Sequence, residues 1–470
     1  MSGGALGYPE YRDPGLAWLG QIPVHWEVNR AKVYLREVDE RSVDGSEERL
    51  SVSHLTGVTP RREKNVTMFE AESYVGHKVC RPGDVVVNTM WAWMGALGVA
   101  KHDGIVSPSY AVYRLRNKET FDHRYLDSLL RTPSLVAEFR RHSTGIQESR
   151  LRLYPERLLS IALPHPPADE QRSIADYLAA HRTQIQRFRR AKQRLMALLA
   201  ERQDLVIRRI ILGEHTAGPR RPIDGAWYDS LPINWTSAKL RTVVRVLGGM
   251  TPTKSEETYW SGAMPWVSPK DMKVAVLTDA QDHISEAAVR KTGIPVVPCP
   301  SVLMVVRGMI LARDVPVAVA LVPVTINQDM KALMPQPGVD TTFLYYALRA
   351  AKRHLKERVE VAGHGTRKLP TSAWRDLAIP VPPLDEQRDI VAHIERQFEE
   401  EGRLLSAERG AVRQVDELSA RVTADVVTGR VDVRHMIVAA VAPRVESVAE
   451  IDADNEDEAE DAELVVSDAD

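Results

Sequence analysis

Histidine has the widest chemical reach of the residue types here, yet its spacing serves no metal. The chain has 14 histidines, and none forms the His-x3-His pair that sets two ligands on one helix face. His54, His77 and His102 are scattered through one stretch, as surface or core histidines are. Other chemistries lack their motifs as well. No Gly-x4-Gly-Lys-Ser/Thr loop cradles a phosphate, and no Gly-x-Ser-x-Gly elbow raises a nucleophile. No Gly-x-Gly-x-x-Gly turn follows a strand to seat a dinucleotide or adenosyl cofactor. The two Pro-Pro pairs follow His165 and Val381, where an amino-methyltransferase motif begins with Asn or Asp. Cys80 and Cys299 are the only cysteines, too few and too far apart for a disulfide framework or a Cys-rich metal site. A nuclease built from dispersed carboxylates has no fixed spacing and stays open as an alternative. The pattern points to a chain without catalysis of its own.

Charge is the more informative property. The net charge is −2, but residues 446–470 hold 12 acidic residues and no Lys or Arg, which leaves +10 on residues 1–445. A body that basic suits a polyanion, whose counterions it releases on binding; a solvated face with an acidic solubilising tail explains the same numbers. With 470 residues, 44% hydrophobic and 27% charged, the chain has the balance of about three soluble domains. No apolar run approaches the roughly 18 residues of a membrane span, and the start shows no secretory pattern. A cytoplasmic protein is expected.

The elements that would position any site come as two copies of one unit. Leu163-Pro-His-Pro-Pro-Ala-Asp-Glu-Gln-Arg-Ser-Ile174 recurs as Ile379-Pro-Val-Pro-Pro-Leu-Asp-Glu-Gln-Arg-Asp-Ile390, offset by 216 residues, and the same offset relates Gly213 to Gly429. Ile22-Pro-Val-His-Trp26 likewise matches Leu231-Pro-Ile-Asn-Trp235. A period this long means tandem domains. Each Pro-Pro-x-Asp-Glu-Gln block reads as a helix start, with Asp169 or Asp385 as the cap. Apolar residues then fall at steps of 3, 4 and 7, from Ile174 to Val206 and from Ile390 to Val426. The 43 steps from Glu170 to Gly213 make a helix roughly 64 Å long. A helix with one such stripe needs a partner, and the other copy supplies it, antiparallel.

The fold class expected is α+β: two mixed domains, each followed by a long helix, the helices paired as an antiparallel coiled coil. The boundaries read as a lead over 1–20, a first domain over 21–167, and a long helix over 168–213. A linker over 214–230 follows, then a second domain over 231–383, a long helix over 384–432 and an acidic tail over 433–470. Strands are expected at Val85–Asn88, Tyr110–Tyr113, Val302–Val306 and Val315–Val322, and helical stretches over Tyr125–Arg140 and Thr342–Arg358.

The ordered set resembles the specificity subunit of type I restriction–modification systems. The match rests on both Ile/Leu-Pro-x-x-Trp openings, Gly248-Gly-Met-Thr-Pro252, Tyr259-Trp260-x-Gly262, Pro265-Trp266-Val267, Arg81-Pro-Gly-Asp84, Gly145-Ile-Gln-Glu-Ser-Arg-Leu151, Gly363-His-Gly-Thr-Arg-Lys368 and the two Glu-Gln helix starts. It covers about residues 15–432. The resemblance implies two target-recognition domains held apart by the coil, each reading half of a split, asymmetric site in double-stranded DNA, with the spacer length a property of the coil. It implies two methyltransferase subunits docked on the helices, with restriction subunits recruited. The chain itself would bind no cofactor and no membrane; S-adenosylmethionine, ATP and Mg would sit on the partner subunits. An intrinsic nuclease and a protein-only scaffold are the alternatives.

DNA contact is expected from basic and amide side chains beside these motifs. In copy one they are Arg61, Arg62, Lys64, Asn65, Lys78, Asn88, Gln147 and Arg150; in copy two, Thr251, Thr253, Lys254, Lys270, Lys273, Arg307, Arg313, Asn327, Gln328, Arg367 and Lys368. Subunit docking is expected at the helix starts Glu170, Gln171, Glu386 and Gln387.

Overall fold

The computed structural model describes residues 7–63, 73–145, 151–362 and 366–436. The chain divides into two compact units, one of Met1–Ala191 with Gly410–Asp470 and the other of Lys192–Arg409.

The first unit is built on a four-stranded antiparallel sheet in the order Leu35–Val38, Ala111–Leu115, Val85–Val87, Leu97–Val99. Side chains alternate across a strand. Val85 and Val87 accordingly join the core that holds Tyr113, Tyr125, Leu126 and Phe139, while Val86 and Val112 face a second core with Leu50, Val52, Val58 and Cys80. Burial on both faces is why this strand reads as an unbroken valine run. The helical stretch expected over 125–140 is two helices, His123–Leu130 and Pro133–His142. Pro133 has no N–H to continue the first, and it opens the second.

The second unit repeats this sheet and adds an edge: Val244–Gly248, Met330–Pro335, Ser301–Val305, Val317–Ala320, then Val276–Leu277 parallel to its neighbour. Thr341–Ala350 and Lys352–Lys356 replace the single helix expected there. The strand order is the same in the two units although their sequences hardly align. The stretches expected as lead and linker also carry strands, Tyr11–Arg12 against Ile22–Pro23 and Arg220–Pro222 against Ser230–Pro232.

The long helices are Ala168–Ile211 and Leu384–Val427, each of 44 residues. They start at the expected residues, but Asp169 and Asp385 are not the caps. The carbonyls of Pro167 and Pro383 accept from the amides of Gln171 and Gln387, both at 2.9 Å, so Asp169 and Asp385 lie inside the first turn, where their charge favours the helix dipole. Both helices end alike. Gly213 donates to Ile210 and Glu214 to Arg209, as Gly429 does to Val426 and Arg430 to Asp425, with positive φ at each glycine: a Schellman stop. Within the second unit the helices run antiparallel, Lys192 pairing with Glu408 at 2.6 Å and Arg202 with Glu401. Within the first, Arg189 lies 3.6 Å from Asp416.

Candidate nucleic-acid interface

Four segments of the second unit meet at one end of its five-stranded sheet. Met250 donates to Ile326 O at 2.9 Å, Val306 to Asp329 O at 2.8 Å, Gly308 to Arg367 O at 3.0 Å, and Leu369 to Val306 O at 2.9 Å. Gly249 permits the first contact, since a Cβ there would lie 2.1 Å from the carbonyl oxygens of Ile326 and Asn327. The indole N–H groups of Trp266 and Trp260 hold the carbonyls of Met250 and Thr253 at 3.0 and 3.2 Å, which fixes the 250–253 loop.

This frame gathers Thr251, Arg307, Gln328, Arg367 and Lys368. Arg307 and Lys368 are opposed across an isolated antiparallel bridge, both exposed. Like charges directly opposite are destabilising unless an anion lies between or over them. Arg367 is half-buried, and its Nε has no hydrogen-bond partner. Thr251 donates its hydroxyl proton to the Gln328 side-chain carbonyl, and Gln328 is exposed. Burial pushes the Asp329 carboxyl up, against the pull of Arg307 and Lys331. The arrangement is a basic rim with amide groups, suited to phosphates and base edges.

Not every expected contact belongs to it. Asn327 is buried, and its side-chain carbonyl accepts from Asp329 N at 3.0 Å. Lys270 sits on the turn Pro269–Asp271, paired with Asp282 at 2.9 Å, and Lys273 follows exposed. Thr253 and Lys254 are exposed on the loop that continues from Thr251, and Arg313 is exposed after the turn Met309–Ala312.

The first unit repeats part of this frame with other residues. Leu153 donates to Thr89 O at 2.9 Å, and Thr144 bridges Arg152. Two expected contacts are corrected here. Lys78 is 8% exposed within Lys78–Cys80 and lies 3.5 Å from Asp39. Asn88 is buried, donating to Tyr110 Oη at 3.1 Å and accepting from Met90 N at 3.2 Å. The Asn88 amide and the Lys78 ammonium are thus spent inside the unit. Arg61 and Arg62 lie on the turn Arg61–Glu63, where Arg62 pairs with Glu48 at 2.6 Å. Lys64, Asn65, Gln147 and Arg150 lie outside the described residues. Sequence reasoning passed over Arg152, which is exposed; the 216-residue offset that relates the repeats puts it opposite Lys368. It also passed over Lys331, which no motif flags.

The helix starts are bonded within their own units. Glu170 is buried and accepts from Trp26 Nε1 at 3.0 Å, from His25 Nε2 at 2.8 Å, and from the Tyr8 hydroxyl. Gln171, fully buried, accepts from Asp122 N at 2.8 Å and donates to Thr120 O and Pro166 O at 3.1 and 2.9 Å. Glu386 accepts from Trp235 Nε1 at 2.9 Å, and Gln387 accepts from Asp340 N at 2.8 Å while donating to Gly338 O and Pro382 O. These side chains lock each helix start onto its own unit. Arg81-Pro-Gly-Asp84 is also internal: buried Asp84 takes two bonds from Arg114 at 2.8 Å and one from Arg81 N at 2.9 Å. Among the described residues, no group of three or more His, Cys, Asp or Glu is placed to hold a metal ion, and no helix is long and apolar enough to cross a membrane.

Residues 232–407 match the family model of the type I restriction modification DNA specificity domain. The chain is 32% identical over 165 residues to the type I restriction enzyme EcoR124I/EcoR124II specificity subunit of Escherichia coli, an alignment covering 35% of this chain and 40% of that protein. It is 30% identical over 166 residues to the MjaIX specificity subunit of Methanocaldococcus jannaschii, covering 34% and 37%. The aligned stretch therefore spans less than half the length of each relative. A solved structure described as showing complex assembly and conformational transition of the type I R-M system shares the fold. The TM-score is 0.51 at 19% identity, over 86% of this chain and 98% of that one. Residues 232–407, which form the second unit's sheet and its basic rim, are thus similar to the type I restriction modification DNA specificity domain.

Proposed function

We propose that this chain is the DNA-recognition subunit of a type I restriction–modification complex, non-catalytic itself, with each unit reading one half of a split, asymmetric site in double-stranded DNA. The observation that carries it is the opposed, exposed pair Arg307 and Lys368, set among Gln328 and Arg367 inside the matched domain. Two cations held side by side are placed for a phosphate, and the neighbouring amide supplies the donors and acceptors that tell base edges apart. The part of this frame that the first unit repeats carries different side chains, as two unlike half-sites require. Two methyltransferase subunits and restriction subunits are the expected partners, in the cytoplasm, and S-adenosylmethionine, ATP and Mg would act on them.

Modified-base sequencing of the native genome with and without this gene tests the proposal. Loss of a split motif with methyladenine in both halves is the expected result. Binding of duplex DNA by the chain assembled with its methyltransferase, steeply weakened by salt, is the second readout. An assembled complex with no affinity for duplex would leave a protein-only scaffold. Cleavage of duplex by the isolated chain with magnesium would make it a nuclease.

A further inference from the structure

Met309 is the most exposed large apolar residue in the tip that joins Ser301–Val305 to Val317–Ala320, at 65%. It opens the short turn Met309–Ala312, which is anchored from beneath by Leu311, 1% exposed. Immediately before it, Gly308 takes a φ of +125° and donates to Arg367 O at 3.0 Å, and Arg307 is opposed to Lys368. A rigid turn thus holds one apolar side chain in water, beside the cations of the rim. The first unit places a turn at the same point of its sheet: Ala92–Met94, between Val85–Val87 and Leu97–Val99, with Trp91, Trp93 and Met94 half-buried. The position is apolar in both units while the residues differ.

Resting on the DNA-recognition reading above, we propose that Met309 is a specificity-determining contact. It meets the 5-methyl group of a thymine in the major groove while Arg307 and Lys368 hold the flanking phosphates. That methyl is the one apolar group on the major-groove edge of a base pair, and burying a group of that size is worth about fourfold in affinity.

The full-length chain, assembled with its methyltransferase, is used to select duplexes from a randomised pool. The selected duplex is then remade with deoxyuridine at each thymine in turn, which removes only the methyl. One such replacement should weaken wild type about fourfold. Met309→Ala should lose about the same on the thymine duplex and be indifferent to the replacement. Met309→Leu should keep the discrimination. Leu321→Ala, 51% exposed at the other end of the same strand pair, should behave as wild type. A selected motif without thymine, a wild type indifferent to every replacement, or a Met309→Ala protein that keeps the full difference overturns the assignment of Met309 alone. If wild type enriches no motif and binds no duplex, the DNA-recognition reading falls and takes this inference with it.

Discussion

Arg307 and Lys368 are opposed on adjacent backbone segments, so removing either relieves a repulsion within the protein while taking a cation from the rim. Arg307→Ala and Lys368→Ala should each weaken binding to any duplex, whatever its sequence. Each should also lower the slope of log affinity against log salt by about 0.9. Arg62→Ala should leave that slope unchanged, because Arg62 already pairs with Glu48 on the surface. Anisotropy titrations between 50 and 200 mM salt check all three, and equal slopes throughout would remove the rim from the interface. At this scale the sequence was legible where a motif flanked the residue, as Gly363-His-Gly-Thr-Arg-Lys368 flags Lys368. It misled at Lys78 and Asn88. Whether a lysine lies beside Asp39, or an amide beside Tyr110, depends on which strands neighbour each other, and residue type carries no trace of that.

At the scale of elements, the three repeated sequence anchors meet at one junction in each unit. In the first unit, the Trp26 indole donates to Glu170 at the start of one helix and packs on Gly429 at the end of the other. A Cβ on Gly429 would lie 2.5 Å from Pro23 Cδ, and one on Gly213 2.7 Å from Pro232 Cγ. With positive φ at both glycines, Gly429→Ala should cost about 1–3 kcal/mol, read as a lower denaturant midpoint at unchanged m. Gly410→Ala makes the contrast: nothing lies within 4 Å of the added Cβ in that helix interior, so stability should rise by up to about 1 kcal/mol. The repeats announced the helices and their glycine stops. They did not announce that Glu170 and Gln171 turn inward, because a Glu-Gln pair in a first turn reads the same exposed or buried.

Acid should loosen the same unit through its arginine-paired carboxylates. Arg114 holds the Glu40 carboxyl below its ordinary range, as Arg141 does for Glu138 and Arg434 for Asp432. Unfolded chains bind protons at such carboxyls near pH 4, before the folded state does. The stabilisation is therefore complete above that range and is lost as pH falls through the depressed folded values. Denaturant midpoints at pH 5, 4 and 3 should decline. Arg114→Ala should decline less steeply, since it has already lost its share; a parallel decline would separate that arginine from the effect.

For the whole molecule, duplication was legible because helix starts, glycine stops and tryptophan openings answer to geometry that both units share. The loops between the strands answer to nothing shared, and they hardly align while the strand order stays the same. That division predicts independence. Arg152 and Lys368 occupy matching places in two separate units. A substitution at either should therefore weaken the hold on one half-site and leave the base preference of both halves as it was. Arg152→Gln and Lys368→Gln, each assembled with the methyltransferase and titrated on the methylated motif, should each weaken binding and lower the salt slope by about 0.9. The double variant should lose both contributions, with additive costs in affinity, as sites without shared partners do. If the two costs are far from additive, the units do not bind separately, and the split-site proposal gives way to one continuous recognition surface.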